Sequence, residues 1–208
     1  AAYNGGTHMP FEDMAVMRAI PEVTVLEPTD DAMFEDLLRQ LRDMHGVAYI
    51  RLIRKNPYAI YKPGSTFTIG KGTIIKEGKD VTVIALQALV HQGIMVKEAI
   101  DAADMLQKEG ISAKVVNMFT WKPIDRELIL QCAEETGAIV TAENHNIMCG
   151  LGEAVAGVVA QGKPVPMEYV GVNDRFGQVG PQDFLRLEYK LTADEIAAKA
   201  KKAIENKQ

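Results

Sequence analysis

Three short stretches of this chain hold residue types that could do chemistry. The first, Asn4-Gly5-Gly6-Thr7-His8, runs through Pro10, Glu12 and Asp13 into a helical pattern. Two glycines let the backbone approach whatever sits opposite, and a helix starting near Pro10 turns free N–H groups toward the same space. Such a place favours anions. An imidazole there can donate to a substrate hydroxyl or shuttle a proton, since histidine titrates close to neutrality. A structural histidine bonded to backbone is the plainer alternative. The second stretch is Arg54-Lys55, which closes an apolar strand. A guanidinium at a strand end can grip a phosphate or carboxylate with two parallel bonds, and a solvated charge marking the strand's exit is the competing reading. The third is Glu143-Asn144-His145, followed by a glycine-containing loop. Its carboxylate and imidazole could form an acid/base pair, or could order a loop or an interface. Gly150-Leu151-Gly152 does not complete a dinucleotide fingerprint, because Val155 stands where the last glycine or alanine belongs.

Other chemistry is excluded or weak. The 208 residues carry a net charge of −5 and no long Lys/Arg run, which argues against nucleic acid as a partner. No apolar run approaches the ~20 residues needed to cross a bilayer, so no membrane association is expected. Cys132 and Cys149 lack C-x-x-C spacing and read as reduced thiols of a cytoplasmic protein. Asp174-Arg175-Phe176-Gly177 reads as a turn whose Asp-Arg pair is a surface contact, while Phe119, Trp121, Pro123 and the ten methionines read as packing.

The elements that must position these residues alternate between strand and helix. The pattern predicts a helix over 11–20 stopped by Pro21, a strand over 24–26, a helix capped by Pro28-Thr29-Asp30 with Ala32, Phe34, Leu37, Leu38 and Leu41 mostly on one face, and an apolar strand over 48–53. Pro57, Pro63 and Gly64 then break the periodicity and mark a linker between two α/β units. Beyond it, a short strand or hairpin arm over 70–77 turns through Glu77-Gly78-Lys79-Asp80 into a strand over 81–86, apolar enough to be buried on both faces. Helices over 90–108, 125–135, 151–160 and 193–205 alternate with strands over 113–118, 138–143 and 168–172, the pattern of βαβ crossovers in a parallel sheet. Thr192 and Glu195 form a capping box for the last helix.

Several of these motifs carry a family likeness. Gly6-Thr7-His8-Met9-Pro10-Phe11-Glu12-Asp13, Met17-Arg18-Ala19-Ile20-Pro21, Val25-Leu26-Glu27-Pro28-Thr29-Asp30, Leu52-Ile53-Arg54, Glu143-Asn144-His145 and Gly171-Val172-Asn173-Asp174-Arg175-Phe176 together resemble the transketolase family of thiamine diphosphate enzymes. The resemblance implies that residues 1–60 are the second half of a pyrimidine-binding domain. It implies that residues 65–208 are a transketolase C-terminal-like domain of three layers around a mostly parallel sheet.

By the same resemblance, His8 is the catalytic residue that contacts substrate hydroxyls near the cofactor's thiazolium carbon, and Arg54 binds the sugar's terminal phosphate. Asn4, also expected at the substrate, stands where the family often has Asp and brings no negative charge. The implied activity is transfer of a two-carbon ketol unit between sugar phosphates, with thiamine diphosphate and a divalent cation such as Mg2+. The Gly-Asp-Gly segment that holds the metal does not occur here, and the activating glutamate would precede Ala1. This chain is therefore expected to bind neither cofactor tightly and to be inactive without an N-terminal transketolase part, with which it would form a homodimer or heterotetramer. The competing readings are a deoxyxylulose-phosphate synthase, a 2-oxo-acid dehydrogenase β chain, and a non-catalytic dimerisation module.

Overall fold

A computed structural model describes residues 10–52, 58–86 and 94–207. The first helix, α1 (Asp13–Ala19), leads into β1 (Val23–Leu26), α2 (Asp31–Arg42) and β2 (Val47–Ile50). After the 58–72 segment come β3 (Thr73–Lys76), β4 (Val81–Ala85), α3 (Ile94–Lys108), β5 (Ala113–Asn117), β6 (Thr120–Lys122) and α4 (Arg126–Thr136). The chain closes with β7 (Ile139–Asn146), α5 (Leu151–Gln161), β8 (Met167–Val172), α6 (Gln182–Glu188) and α7 (Ala193–Glu205).

Local chemistry sets most boundaries. Asp30 caps α2 by accepting the Met33 N–H at 3.0 Å, and Thr192 caps α7 through the Glu195 N–H at 3.3 Å. Gly137 ends α4 in the left-handed region at φ 64°, where a side chain would be strained. The buried face of α2 is narrower than predicted: Met33 and Leu37 hold it, while Leu38 is exposed.

A five-stranded sheet in the order β3-β5-β4-β7-β8 forms the larger body, with every pair parallel except β3 with β5. Val81, Val83 and Ala85 of β4 face α3 and α7, while Ile84 faces α4 and α5. This makes three layers, with β4 buried along its whole length as its continuous apolar run predicts. The expected hairpin does not form. The Glu77–Asp80 turn delivers β4 one strand away from β3, and β5 lies between them.

The second sheet, β2-β1-β6, joins the two halves of the chain. β1 pairs in parallel with β2 and antiparallel with β6, a strand whose residues read in the sequence as packing. Phe119 and Trp121, adjacent in sequence but for Thr120, go into different clusters. Phe119 lies with Met33 and Leu37 of α2, and Trp121 lies with Val25, Met14, Leu151 and Val155. Among the described residues β2 is an outer strand, with Val47 60% exposed, so the apolar strand predicted here is not a core strand.

Because Trp121 belongs to a cluster fed by both sheets, Trp121→Ala should cost about 3–5 kcal/mol in urea unfolding, the range for emptying a buried aromatic site. A cost near that of a surface substitution, under about 0.5 kcal/mol, would mean that β6 does not weld the two sheets.

Candidate functional site

The strand order reverses between β4 and β7, since the chain leaves β4 through α3 toward β5 and returns through α4 to β7 on the other side. Ligands of open parallel sheets bind in the crevice beyond the carboxyl ends at such a reversal. Here the chain's own first segment meets the end of β7. The Asn146 N–H donates to the Phe11 carbonyl at 2.7 Å, and the Ala15 N–H points at His145 Nε2 at 3.4 Å.

Arg51 lies just past β2 and is 9% exposed. One arm of its guanidinium donates to the Asn144 carbonyl at 3.1 Å, and the other donates to the Pro10 carbonyl at 2.7 Å. Asp13 Oδ1 lies 3.2 Å from the second arm and Glu27 Oε1 lies 3.7 Å from the first. The Tyr49 hydroxyl donates to Asp13 Oδ2 at 2.9 Å, and the Trp121 indole N–H donates to Glu27 Oε2 at 3.2 Å. α1, β1, β2, β6 and β7 thus meet around one cation.

Burial pushes the Glu27 carboxyl up to about 8, against the opposing pull of Arg51. Glu143 is also pushed up to about 8 by burial, although the Leu151 and Gly152 N–H groups donate to its two oxygens at 2.7 and 2.9 Å. Burial thus holds both carboxyls well above the ordinary carboxylate range, and Asp13 is the carboxyl that approaches the Arg51 guanidinium most closely.

The Glu143-Asn144-His145 stretch is not an acid/base pair open to substrate. β7 continues through it and buries all three side chains. Glu143 serves the amino end of α5, and a Cβ at Gly150 would collide with its carboxylate, so glycine there is a packing requirement. His145 Nδ1 lies 2.6 Å from the Asn146 carbonyl, which makes Nδ1 the protonated nitrogen and leaves Nε2 to face the Ala15 N–H. Burial lowers the His145 pKa, so its 3.7 Å approach to Glu143 is not an ion pair at neutral pH. Arg175 pairs with Glu188 at 2.5 Å and lies over the Tyr189 ring, rather than pairing with Asp174 as the turn motif suggested.

Asn4, His8 and Arg54 lie outside the described residues. What the structure shows is the frame from which their segments depart, Pro10 at one side and Arg51-Leu52 at the other. Sequence reading missed Arg51 and Glu27. The one signal available was their occurrence in apolar strand ends, where an ionisable side chain needs a partner.

Residues 1–58 match the model for the transketolase pyrimidine binding domain, and residues 70–196 match that for the transketolase C-terminal domain. The chain belongs to the transketolase family. Among its relatives, a 6-deoxy-6-sulfo-D-fructose transketolase subunit of a Clostridium species is 44% identical over 207 residues, covering 100% of this chain and 62% of that protein. A putative transketolase C-terminal section of Methanocaldococcus jannaschii is 40% identical over 197 residues, covering 93% of this chain and 60% of that one. A solved split-gene transketolase, described as an inactive beta4 tetramer, superposes with TM-score 0.89 at 43% identity, covering 98% of this chain and 64% of that one. The chain thus spans about three fifths of the length of these relatives.

The family depends on thiamine diphosphate. The buried carboxyls Glu27 and Glu143 and the Asp13 carboxylate do not suit its diphosphate-bound cation, because they turn toward Arg51 and the α5 backbone. Among the described residues no group of three or more His, Cys, Asp or Glu could hold a metal ion, and no helix is long and apolar enough to cross a membrane.

The raised carboxyls carry a pH dependence of known sign. Their protons are bound in the folded state and lost in the unfolded one between the ordinary carboxyl range and about 8, so folding stability should fall as pH rises through that window. Thermal unfolding followed from pH 5 to 8.5 should show this fall, and Glu27→Gln should flatten it; an unchanged slope in the variant would mean that Glu27 is ionised throughout.

Proposed function

We propose that this chain is the C-terminal section of a split transketolase that moves a two-carbon ketol unit between anionic sugars. It would act once joined to an N-terminal section carrying thiamine diphosphate and the divalent cation. The supporting observation is the order of its matches: a partial pyrimidine-binding domain followed by a C-terminal domain, in a chain similar to proteins described as a C-terminal section, a subunit and a split-gene transketolase. In this reading residues 1–60 form the substrate-facing unit and residues 65–208 the supporting one. His8 and Asn4 recognise sugar hydroxyls, His8 being the catalytic residue, and Arg54 grips the terminal phosphate through its planar pair of donors.

A second donor class is favoured by one relative, whose described substrate carries a sulfonate where a sugar phosphate carries its phosphate. Arg54 suits either anion. A panel of ketose phosphates, 6-deoxy-6-sulfofructose and pyruvate, offered to the two sections together, separates the ketol-transfer readings from a synthase or dehydrogenase. Turnover of pyruvate alone would overturn the transketolase reading. In the joined enzyme Arg54→Ala should raise KM for the anionic sugar ~100-fold, the scale of a lost charge-assisted bond pair. An equal rise for an uncharged sugar would remove the anchor role.

Alone, the chain should be inactive and self-associated, as is the beta4 tetramer it resembles. Light scattering and ketol-transfer assays before and after adding the N-terminal section test this, and activity of the isolated chain would refute it.

A further inference from the structure

At the carboxyl end of β8, an outer strand of the five-stranded sheet among the described residues, a cleft of about 230 Å³ opens between the strand, the end of α6 and the first turns of α7. Parallel sheets bind ligands beyond the carboxyl ends of their strands. Pockets for drug-sized molecules hold ~300–1,000 Å³, so this one suits a smaller metabolite. Its walls are polar: Asn173 and Arg175 follow the strand, Glu188 and Lys190 come from the end of α6, and Glu195 and Lys199 lie one turn apart on α7.

Most of these charges are satisfied within the fold. Arg175 is taken by Glu188 and the Tyr189 ring. Lys199 reaches Glu168 at 2.8 Å, a carboxylate that Lys202 also holds at 2.7 Å, so Lys199 can turn to a ligand without leaving Glu168 unpaired. Two groups have no side-chain partner among the described residues, the Lys190 ammonium and the Glu195 carboxylate.

Lys190 also stands against its backbone preference. It follows the end of α6 at φ 54°, its N–H donating to the Leu187 carbonyl at 3.1 Å and the next N–H, of Leu191, to the Arg186 carbonyl at 2.9 Å. Glycine is the usual occupant of such a left-handed helix end, because a Cβ is strained there. Other residues held in that region gather at ligand clamps. Here the lysine brings what glycine lacks, an ammonium beside the cleft.

We propose that this cleft binds a small hydroxylated anion, a phosphate ester or a carboxylic acid, whose anionic group is gripped by Lys190 and Lys199 and whose hydroxyls donate to Glu195. A bare anion would be repelled by Glu195, whereas a hydroxyl beside it gives that carboxylate a donor. Two ammoniums and one carboxylate are completed by a ligand of net negative charge, which an amino acid, neutral overall, does not supply.

The test is calorimetry on the full chain with glycerol 3-phosphate, glycerate, inorganic phosphate, serine and glycerol, with amide hydrogen exchange to locate the bound molecule. Glycerol 3-phosphate or glycerate should bind, the tighter of the two naming the anionic group, and should slow exchange over 170–176 and 187–199. Glycerol should not bind. Lys190→Gly should weaken the bound anion ~10-fold, the scale of a lost charge-assisted bond. Without ligand the same variant should melt ~2 °C higher, because glycine relieves the left-handed backbone. Glu195→Ala should weaken the hydroxylated anion and spare inorganic phosphate. The proposal is overturned by no binding of either anion at ~10 mM, by protection confined to other segments, or by serine binding as tightly as glycerate. An affinity unchanged in Lys190→Gly or in Glu195→Ala overturns it too. So does a lower melting temperature of unliganded Lys190→Gly, which would mean that the lysine side chain holds the fold.

Discussion

A guanidinium withdrawn from water must find acceptors and counter-charge at once, or it is expelled. Arg51 finds two carbonyls and Asp13, and Glu27 completes its surroundings with a carboxyl that burial pushes above the ordinary carboxylate range. Breaking such a buried set by removing one member typically costs about 3–5 kcal/mol, because what remains is left uncompensated. The elements contributing to it come from both ends of the sequence, so the halves of the chain are held by a polar contact as well as by the apolar cluster beneath it.

That apolar cluster explains why the polar contact is largely buried. Trp121 satisfies one Glu27 carboxyl oxygen with its N–H, and its ring meets that of His145 edge-on at 5.3 Å. Met14, Val25, Leu151 and Val155 belong to the same buried cluster. Water excluded in this way strengthens every charge interaction inside. It also raises the carboxyls that would otherwise compete for the one cation.

The arrangement bears on function through the reversal point of the five-stranded sheet. In a free-standing α/β domain the carboxyl end of β7 would border a ligand crevice. In this member of the transketolase family α1 and Arg51 engage it instead, so the end of β7 is covered by the chain's own residues. The glycine-rich loop after β7 follows the same logic, its backbone serving Glu143 and Arg18, whose guanidinium donates to the Cys149 and Gly150 carbonyls at 2.7 and 3.1 Å.

Much of this architecture was legible in the residues themselves. The capped start of α7 at Thr192, the stop of α4 at Gly137 and the burial of β4 follow from capping, backbone freedom and an unbroken apolar run, all of which act within a few residues. The roles that the resemblance of short motifs assigns to His8 and Arg54 fall outside the described residues. Strand partners were not legible, because a period says which face is buried and nothing about which strand lies alongside. β3 therefore looked like one arm of a hairpin with β4, and β6 looked like packing. Nor did the residues around it mark Arg51 as the one that turns into the interior. Only tertiary structure decided that Arg51 turns inward, because its partners lie far away in the chain, 93 residues for Asn144 and 41 for Pro10. Burial then gave that distant meeting its energy.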